Sequence, residues 1–475
     1  MGIPVPIIGG SYEGRVSDFN ASRCVNQYVV TGTNEEGNKY PAMLQGTPGC
    51  TEFCDTGTST EIRGMIAVGN YLYAVAGNGF YRITTVGATT SLGTLNSATG
   101  HCYLEYNSST GSQIMIVDGT TGYIYNTSTG AFAQITDADF PGASTLAFQD
   151  GYFIVSRPNT REWWHSDSYD GTAWTGTSYA TKEGAPDNLL RVLCDHRELW
   201  LFGAKTTEVW YNAGSGTPPF SRKIDEILQR GISAAASAAA EDNTIFWLDD
   251  RRMVQRAVGY KPETISTRQI EYQFSSYDTV SDAIGFCYSQ DGHTFYVLAF
   301  PTANKTWVYD AATNFWHERA SWPSPYTGRW RANCYAEFND QHLIGDYANG
   351  KIYELDLSVY AEDGNVLKTI RRAQAIHKDR LMLFHNRLDI EFETGVGLAS
   401  GQGSDPVAMV RWSDDGGHTW SNEHQMSIGK MGEYGKRVYR NRLGRSRSRV
   451  YEISVTDPVK RNILAAHLDA TVGTS

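Results

Sequence analysis

ELWLFGAKTTEVWYNAG, residues Glu198 to Gly214, alternates apolar positions through Leu199, Leu201 and Gly203, turns at Lys205-Thr206, and alternates again through Val209 and Tyr211. Period-two alternation on both sides of a short polar turn predicts two antiparallel strands joined by a tight loop. The unit recurs as NYLYAVAGNGFYRI from Asn70, SQIMIVDGTTGYIYN from Ser112, GYFIVSRPNTREWWH from Gly151, NTIFWLDDRRMVQRA from Asn243, HTFYVLAFPTANKTWVYD from His293 and QHLIGDYANGKIYELD from Gln341. With Tyr73, Ile116, Phe153, Trp200, Phe246, Phe295 and Leu343 as equivalent points, the steps are 43, 37, 47, 46, 49 and 48 residues. A hairpin-bearing repeat of ~40–50 residues is the signature of a β-propeller. One blade cannot bury both its faces, but a ring of blades can. The seven copies, from about Glu61 to Ile376, predict about seven blades; a sandwich or a set of unrelated β-domains is the competing reading.

Composition agrees. The 28 Tyr, 12 Trp and 47 Gly suit strands and tight turns and disfavour a helical bundle. A net charge of -11 argues against a surface that binds nucleic acid throughout, while leaving room for a local basic face. The seven dispersed cysteines read as reduced thiols, and Cys50-x-x-x-Cys54 has no second pair at metal-ligand spacing. No export signal is expected from MGIPVPIIGGSYEGR, and the uncharged run Gly231 to Ala240 is half a membrane span, so no membrane insertion is expected.

Three units are expected: an extended N-terminal arm with one hairpin (1–58), the propeller (59–376) and a C-terminal β-domain (377–475). The long segments Ser166–Pro186, Ala213–Phe220 and Ala320–Gly328 are expected as contact loops. Ile224–Gln229 reads as a short helix. In the C-terminal unit, Leu381–Glu393, Val407–Ser413, Arg437–Leu443 and Arg449–Val455 read as strands, with Gly395–Asp405 a flexible loop.

Few residues there point to chemistry. SDDGGHTW fits an Asp-box hairpin through Ser413, Asp415, Gly417, Thr419 and Trp420: a carboxylate for the turn N–H groups, a glycine for positive φ and a tryptophan to cap the turn. It is a fold element and carries no catalytic inference. Asp167 and Asp170, beside Trp163, Trp164 and Trp174, are the best carboxylate pair for a glycan-cleaving enzyme, although loop carboxylates more often form turns. His165, His196, His293 and His418 are isolated, and Gly395–Gly403 lacks the Lys-Ser/Thr of a phosphate loop. No catalytic, metal or cofactor site is expected. Lys430 to Arg449 sets eight Lys/Arg against Glu433. Lys436, Arg437, Arg440, Arg442, Arg445, Arg447 and Arg449 are candidates for contact with another protein or DNA, or for a solvated strand face with Val438 and Leu443 inward.

The C-terminal run from WSDDGGHTWSNEHQM to KRVYRNRLGRSRSRVYEISVTDPVKRNILAAHLD resembles the packaged-DNA stabilisation proteins of short-tailed, Salmonella-type phages. GAKTTEVWYNAG with QRGI at Gln229, and CVNQY at Cys24 with GTPGC at Gly46, resemble the same family. The resemblance implies a structural virion protein of the tail, assembled in the host cytoplasm as a ring of six copies beneath the portal and its adaptor ring. Such a hub or nozzle closes the DNA exit channel, retains the genome, and docks fibres or spikes and the needle. DNA would pass without sequence specificity. The alternative is a glycan-binding or sialidase-like tail propeller.

Overall fold

The computed structural model describes residues 2–15, 20–32, 39–322, 326, 328–379 and 381–473. The polar stretch 34–38 of the expected arm, and 323–325 and 327 of one expected contact loop, lie outside them.

Seven four-stranded antiparallel units close into a ring. The first comprises Ile62–Val68, Tyr71–Ala76, Gly79–Thr84 and Thr89–Thr94. The next five run from Tyr103 to Gln134, Thr145 to Thr181, Leu189 to Leu228, Ala239 to Thr264 and Ile284 to Glu318. The last combines Ala332–Phe338, Gln341–Asp346 and Lys351–Asp356 with a strand from far upstream, Gly49–Asp55. That strand pairs antiparallel from Lys351↔Asp55 to Asp356↔Gly49, and Lys351 Nζ meets Glu52 Oε2 at 2.6 Å. The ring is therefore clasped by the N-terminal segment.

The quoted alternation explains the packing. In Glu198–Gly203, Leu199 and Leu201 pack with Ile154 and Trp163 of the preceding blade, while Trp200 and Phe202 pack with Ile245 and Trp247 of the following one. Closure repeats this: Cys334, Leu343 and Ile352 of the seventh blade share a core with Ile62, Leu72 and Ala74 of the first. Each such Leu, Ile or Val contributes about 1.5–3 kcal/mol when removed from water, so both faces of every blade are stabilised only in the closed ring.

Four expectations are corrected. Ser166–Pro186 is mostly not a loop: Asp170–Thr181 is the outer strand of the third blade and pairs with Glu162–Asp167 from Glu162↔Thr181 to Asp167↔Asp170. Ile224–Leu228 of the expected helix Ile224–Gln229 lies within the outer strand Phe220–Leu228, because it pairs with Thr207–Asn212 through Thr207↔Leu228 and Glu208↔Ile227. The longer helix is Arg268–Ser275, capped by Thr267 Oγ1 accepting from Ile270 N, with Ile270 and Phe274 buried. The 1–58 segment is more than an arm. Besides clasping the ring, it sends Gly2–Pro4, Gln27–Thr31 and Ala42–Gly46 into one sheet of the C-terminal sandwich, and Arg23–Val25 between propeller and sandwich. Nor does the propeller extend to 376, since Thr369–Arg372 already pairs with Ser448–Val455 of the sandwich.

The sandwich has one sheet ordered Gln27–Thr31, Ala42–Gly46, Ile463–Val472, Leu383–Phe392, Val438–Asn441. The other continues out of the sixth blade: Phe315–Glu318, Arg23–Val25, Thr369–Arg372, Ser448–Val455, Val407–Ser413, His424–Ser427. Leu388, Ile390, Val410, Ile453 and Leu468 form its core.

Candidate partner-binding face

The two bodies meet at a polar joint. Arg23 spans to Glu318 through Nε and Nη2 at 2.8 and 2.9 Å. Burial alone would raise the Glu318 pKa, but this guanidinium together with Lys305 and Arg372 outweighs it and holds the carboxyl below its ordinary value. Asn26, in CVNQY, donates to Ala320 O and Lys368 O at 2.8 Å each and accepts from Ala320 N at 3.0 Å. Arg371, buried, donates to Ile7 O and Gly10 O. The joint ties segments hundreds of residues apart by directional bonds.

The most conspicuous surface is the sandwich edge at Val438–Asn441, which pairs with Leu383–Phe392 through Ile390↔Val438 and Leu388↔Arg440. Its other side carries no ladder partner among the described residues. Val438 and Leu443 are buried, while Lys436, Arg437, Arg440, Arg442, Arg445 and Arg447 are exposed. Arg437 reaches Asp389 at 3.3 Å, and Arg440 Nη2 faces His424 Nδ1 at 3.2 Å. Lys436, Arg442 and Arg445 have no carboxylate partner among the described residues. Beside this edge lies an open cleft of ≈ 680 Å³ that includes Arg387, Asp389, Glu391, Tyr434, Lys436 and Arg437. Tyr434 is 76% exposed, Met431 59% and Tyr439 46%, so the edge joins cationic and apolar contact area.

Arg449 does not belong to that face. It is 2% exposed; Nε and Nη2 bond Asp414 at 2.6 and 2.8 Å, and Nη1 donates to Leu443 O. Strand alternation turns it inward, which charge counting along the sequence could not reveal.

The Asp-box residues converge in a hairpin. Asp415 accepts from Ser413 Oγ at 2.6 Å and from Thr419 N and Oγ1, bonds that hold its carboxyl well below the ordinary range. Gly417, at φ +100°, donates to Ser413 Oγ, and Trp420 Nε1 donates to Gly417 O. Arg372 and Arg411 lie over the Trp420 ring at 4.9 and 4.7 Å, and both bond the buried Glu452. The hairpin thus covers an Arg–Glu–Arg cluster; no substrate-facing group emerges from it.

The carboxylate pair offered for glycan cleavage forms a turn. Asp170 accepts from Thr172 N, Thr172 Oγ1 and Gln113 Nε2, and Asp167 accepts from Thr175 Oγ1. Trp163, Trp164 and Trp174 are buried in inter-blade cores. Among the described residues no His/Cys/Asp/Glu group could hold a metal ion. No helix among them is long and apolar enough to cross a membrane.

At the propeller axis, first strands leave a gap of ≈ 180 Å³ lined by Met65, His101, Tyr103, Glu105, Arg191 and Phe286. Burial, with Arg191 and Arg63 nearby, pushes the His101 pKa down to about 3, and burial raises that of Glu105 to about 7 against the pull of Arg191. Sequence reading missed these residues because a hairpin repeat does not tell which strand faces the axis. A gap of that size cannot admit a nucleic-acid duplex.

Residues 3–360 match a family model described as "Bacteriophage P22 Gp10, beta-propeller", and residues 369–471 one described as "Bacteriophage P22 Gp10, beta-sandwich". No curated protein matches the chain. Solved structures with a similar fold include virginiamycin B lyase from Staphylococcus aureus (10% identity, 64% of this chain and 98% of that one, TM-score 0.46). Another is the extracellular domain of a putative hybrid two component system from B. thetaiotaomicron (10%, 81% and 48%, TM-score 0.45). At these scores neither carries a functional argument.

Proposed function

We propose, since this chain belongs to the bacteriophage P22 Gp10 family of phage stabilisation proteins, that it is a tail hub: a structural virion protein closing the DNA exit channel of a short-tailed phage. The observation that carries this is the pair of family matches, which run in order along nearly the whole chain, the first covering the propeller together with the N-terminal strands and the second the C-terminal strands of the sandwich. In this reading six copies form a ring beneath the portal and adaptor ring, retain the packaged genome, and dock fibres or spikes and the needle.

The polar joint supports it, because a ring under internal pressure needs subunits that do not flex between domains. The exposed cationic edge with Lys436, Arg437, Arg440, Arg442, Arg445 and Arg447 supports a contact with an acidic surface of a neighbouring tail protein. In this reading the DNA channel runs between copies, since the gap at the propeller axis is too small for a duplex. A net charge of -11 would let DNA slide there, since phosphate repulsion opposes adhesion.

Light scattering and negative-stain imaging of the purified protein, with and without the upstream adaptor ring, test the reading. A six-fold ring with a central hole, formed on the partner, is expected. A stable monomer or trimer that ignores the partner but lowers the viscosity of host polysaccharide would replace the hub with the enzyme.

A further inference from the structure

GTPGC, Gly46 to Cys50, lies in the joint among three buried guanidiniums, and the hub reading leaves its chemistry unused. Arg319, Arg331 and Arg461 are each 1% exposed. Gly46 lies against Arg461, where an added Cβ would stand 3.4 Å from Nε, and Pro48 O accepts from Arg319 Nη2 at 2.9 Å. Arg319 stacks over Trp330 at 3.6 Å. Arg331 Nε stands 3.8 Å from Glu362 Oε2, beyond hydrogen-bond reach although both side chains are 1% exposed.

The donors outnumber what the protein offers them. Arg319 Nε, Arg331 Nε and Nη1, Arg461 Nε and Nη2, Trp330 Nε1 and Thr47 Oγ1 are buried with no hydrogen-bond partner. Two carboxylates lie near enough to count. The oxygens of Asp346 are taken by Tyr326 Oη at 2.7 Å and Ala348 N at 2.7 Å, and Glu362, itself buried with neither oxygen hydrogen-bonded, pairs only with Arg331 at 3.8 Å, so one free carboxylate stands against three guanidiniums. Burial also raises the Glu362 pKa, which makes it a weaker counter-ion, and burial, with Arg319 adding to it, pushes the Arg461 pKa down to about 10. Water would accept some of these N–H bonds, but it carries no charge, and buried uncompensated cations are costly.

We propose that Arg319, Arg331 and Arg461, with Trp330 Nε1 and Thr47 Oγ1, bind a small inorganic anion of chloride size inside the joint. The anion neutralises the surplus charge and links the N-terminal segment (Thr47), the propeller (Arg319, Arg331) and the sandwich (Arg461), so its occupancy stabilises the connection between the two bodies. The proposal does not depend on the tail assignment.

The test uses the full chain in gluconate buffer, with bromide substituted at constant ionic strength. Crystals in bromide should give an anomalous peak within hydrogen-bond distance of at least two of the three guanidiniums. At a hundredfold excess over its Kd, bromide should lower the unfolded-to-folded ratio about a hundredfold relative to gluconate. Arg461→Lys keeps the charge but loses the fork and should abolish the bromide dependence. Thr47→Val, which leaves every arginine in place, should weaken it and serves if Arg461→Lys does not fold. Unfolding that is independent of bromide in the unaltered chain, with only water refined at the site, overturns the proposal.

Discussion

Replacing Arg449 by Met separates structural from surface arginines within one basic stretch. The substitution keeps aliphatic volume and removes every side-chain N–H. Leu443 O and Arg445 O then lose a donor, at 3.4 Å in the second case. A buried carbonyl left without a partner costs ~1–3 kcal/mol, and the longer bond counts at the low end. Asp414 is 46% exposed, so loss of its bidentate pair adds no more than ~1 kcal/mol. The sum is ~2–4 kcal/mol; a 475-residue chain has a urea m-value at or above the ~3 kcal/mol/M upper end for small proteins, so the midpoint falls by about 1 M or less. Urea unfolding of the full chain followed by tryptophan fluorescence would report it, since Trp412 lies 5.3 Å from the Arg449 guanidinium. Arg442→Ala and Arg445→Ala, on the same stretch but exposed, should stay within ~0.5 kcal/mol of the parent. Equal midpoints for Arg449→Met and these two would refute the assignment. So would a normal Arg449→Met midpoint combined with failure to join the adaptor ring, which would make it a contact residue after all.

The axial Glu105, with its pKa raised to about 7, should lose stability as pH rises from about 4.5 through 7, because the folded state must bury a charge the unfolded chain exposes. Glu105→Gln should remove that loss, on the order of 1–3 kcal/mol, and thermal melts at pH 5 and 8 would check it. Buried neutral histidines act oppositely. Burial lowers His101 and His317 to about 3 and His385 to about 4, so stability present above pH 6.5 should fall as pH drops toward 4, with a declining Tm. At Gly49 a Cβ would collide with the carbonyl oxygens of Ala361 and Val359, so Gly49→Ala should cost ~1–3 kcal/mol and expose the clasp strand to faster amide exchange. Arg442→Glu with Arg445→Glu should leave the melting curve unchanged yet weaken adaptor-ring binding and flatten its salt dependence, measured by sedimentation across a salt series.

Sequence by itself determined the repeat. Alternation in segments such as Glu198–Gly214 and Asn70–Ile83 is local, and since each blade packs the two faces of its strands against different neighbours, the apolar positions announce the ring before any contact is known. The Asp box was legible for the same reason, its bonds lying within Ser413–Trp420. IDEILQ misled because a short run of that kind fits either period, and pairing with Thr207–Asn212 decided it. What only the tertiary structure decided is everything joined across long separations. Strand Gly49–Asp55 closes a blade whose other strands begin at Ala332, Arg449 turns inward to Asp414 while Arg442 and Arg445 face solvent, and Arg319, Arg331 and Arg461 meet around GTPGC. Charge and spacing along a chain carry no record of which distant group will satisfy a buried donor; that is set when packing removes water and leaves each polar atom only the partners the fold brings within reach.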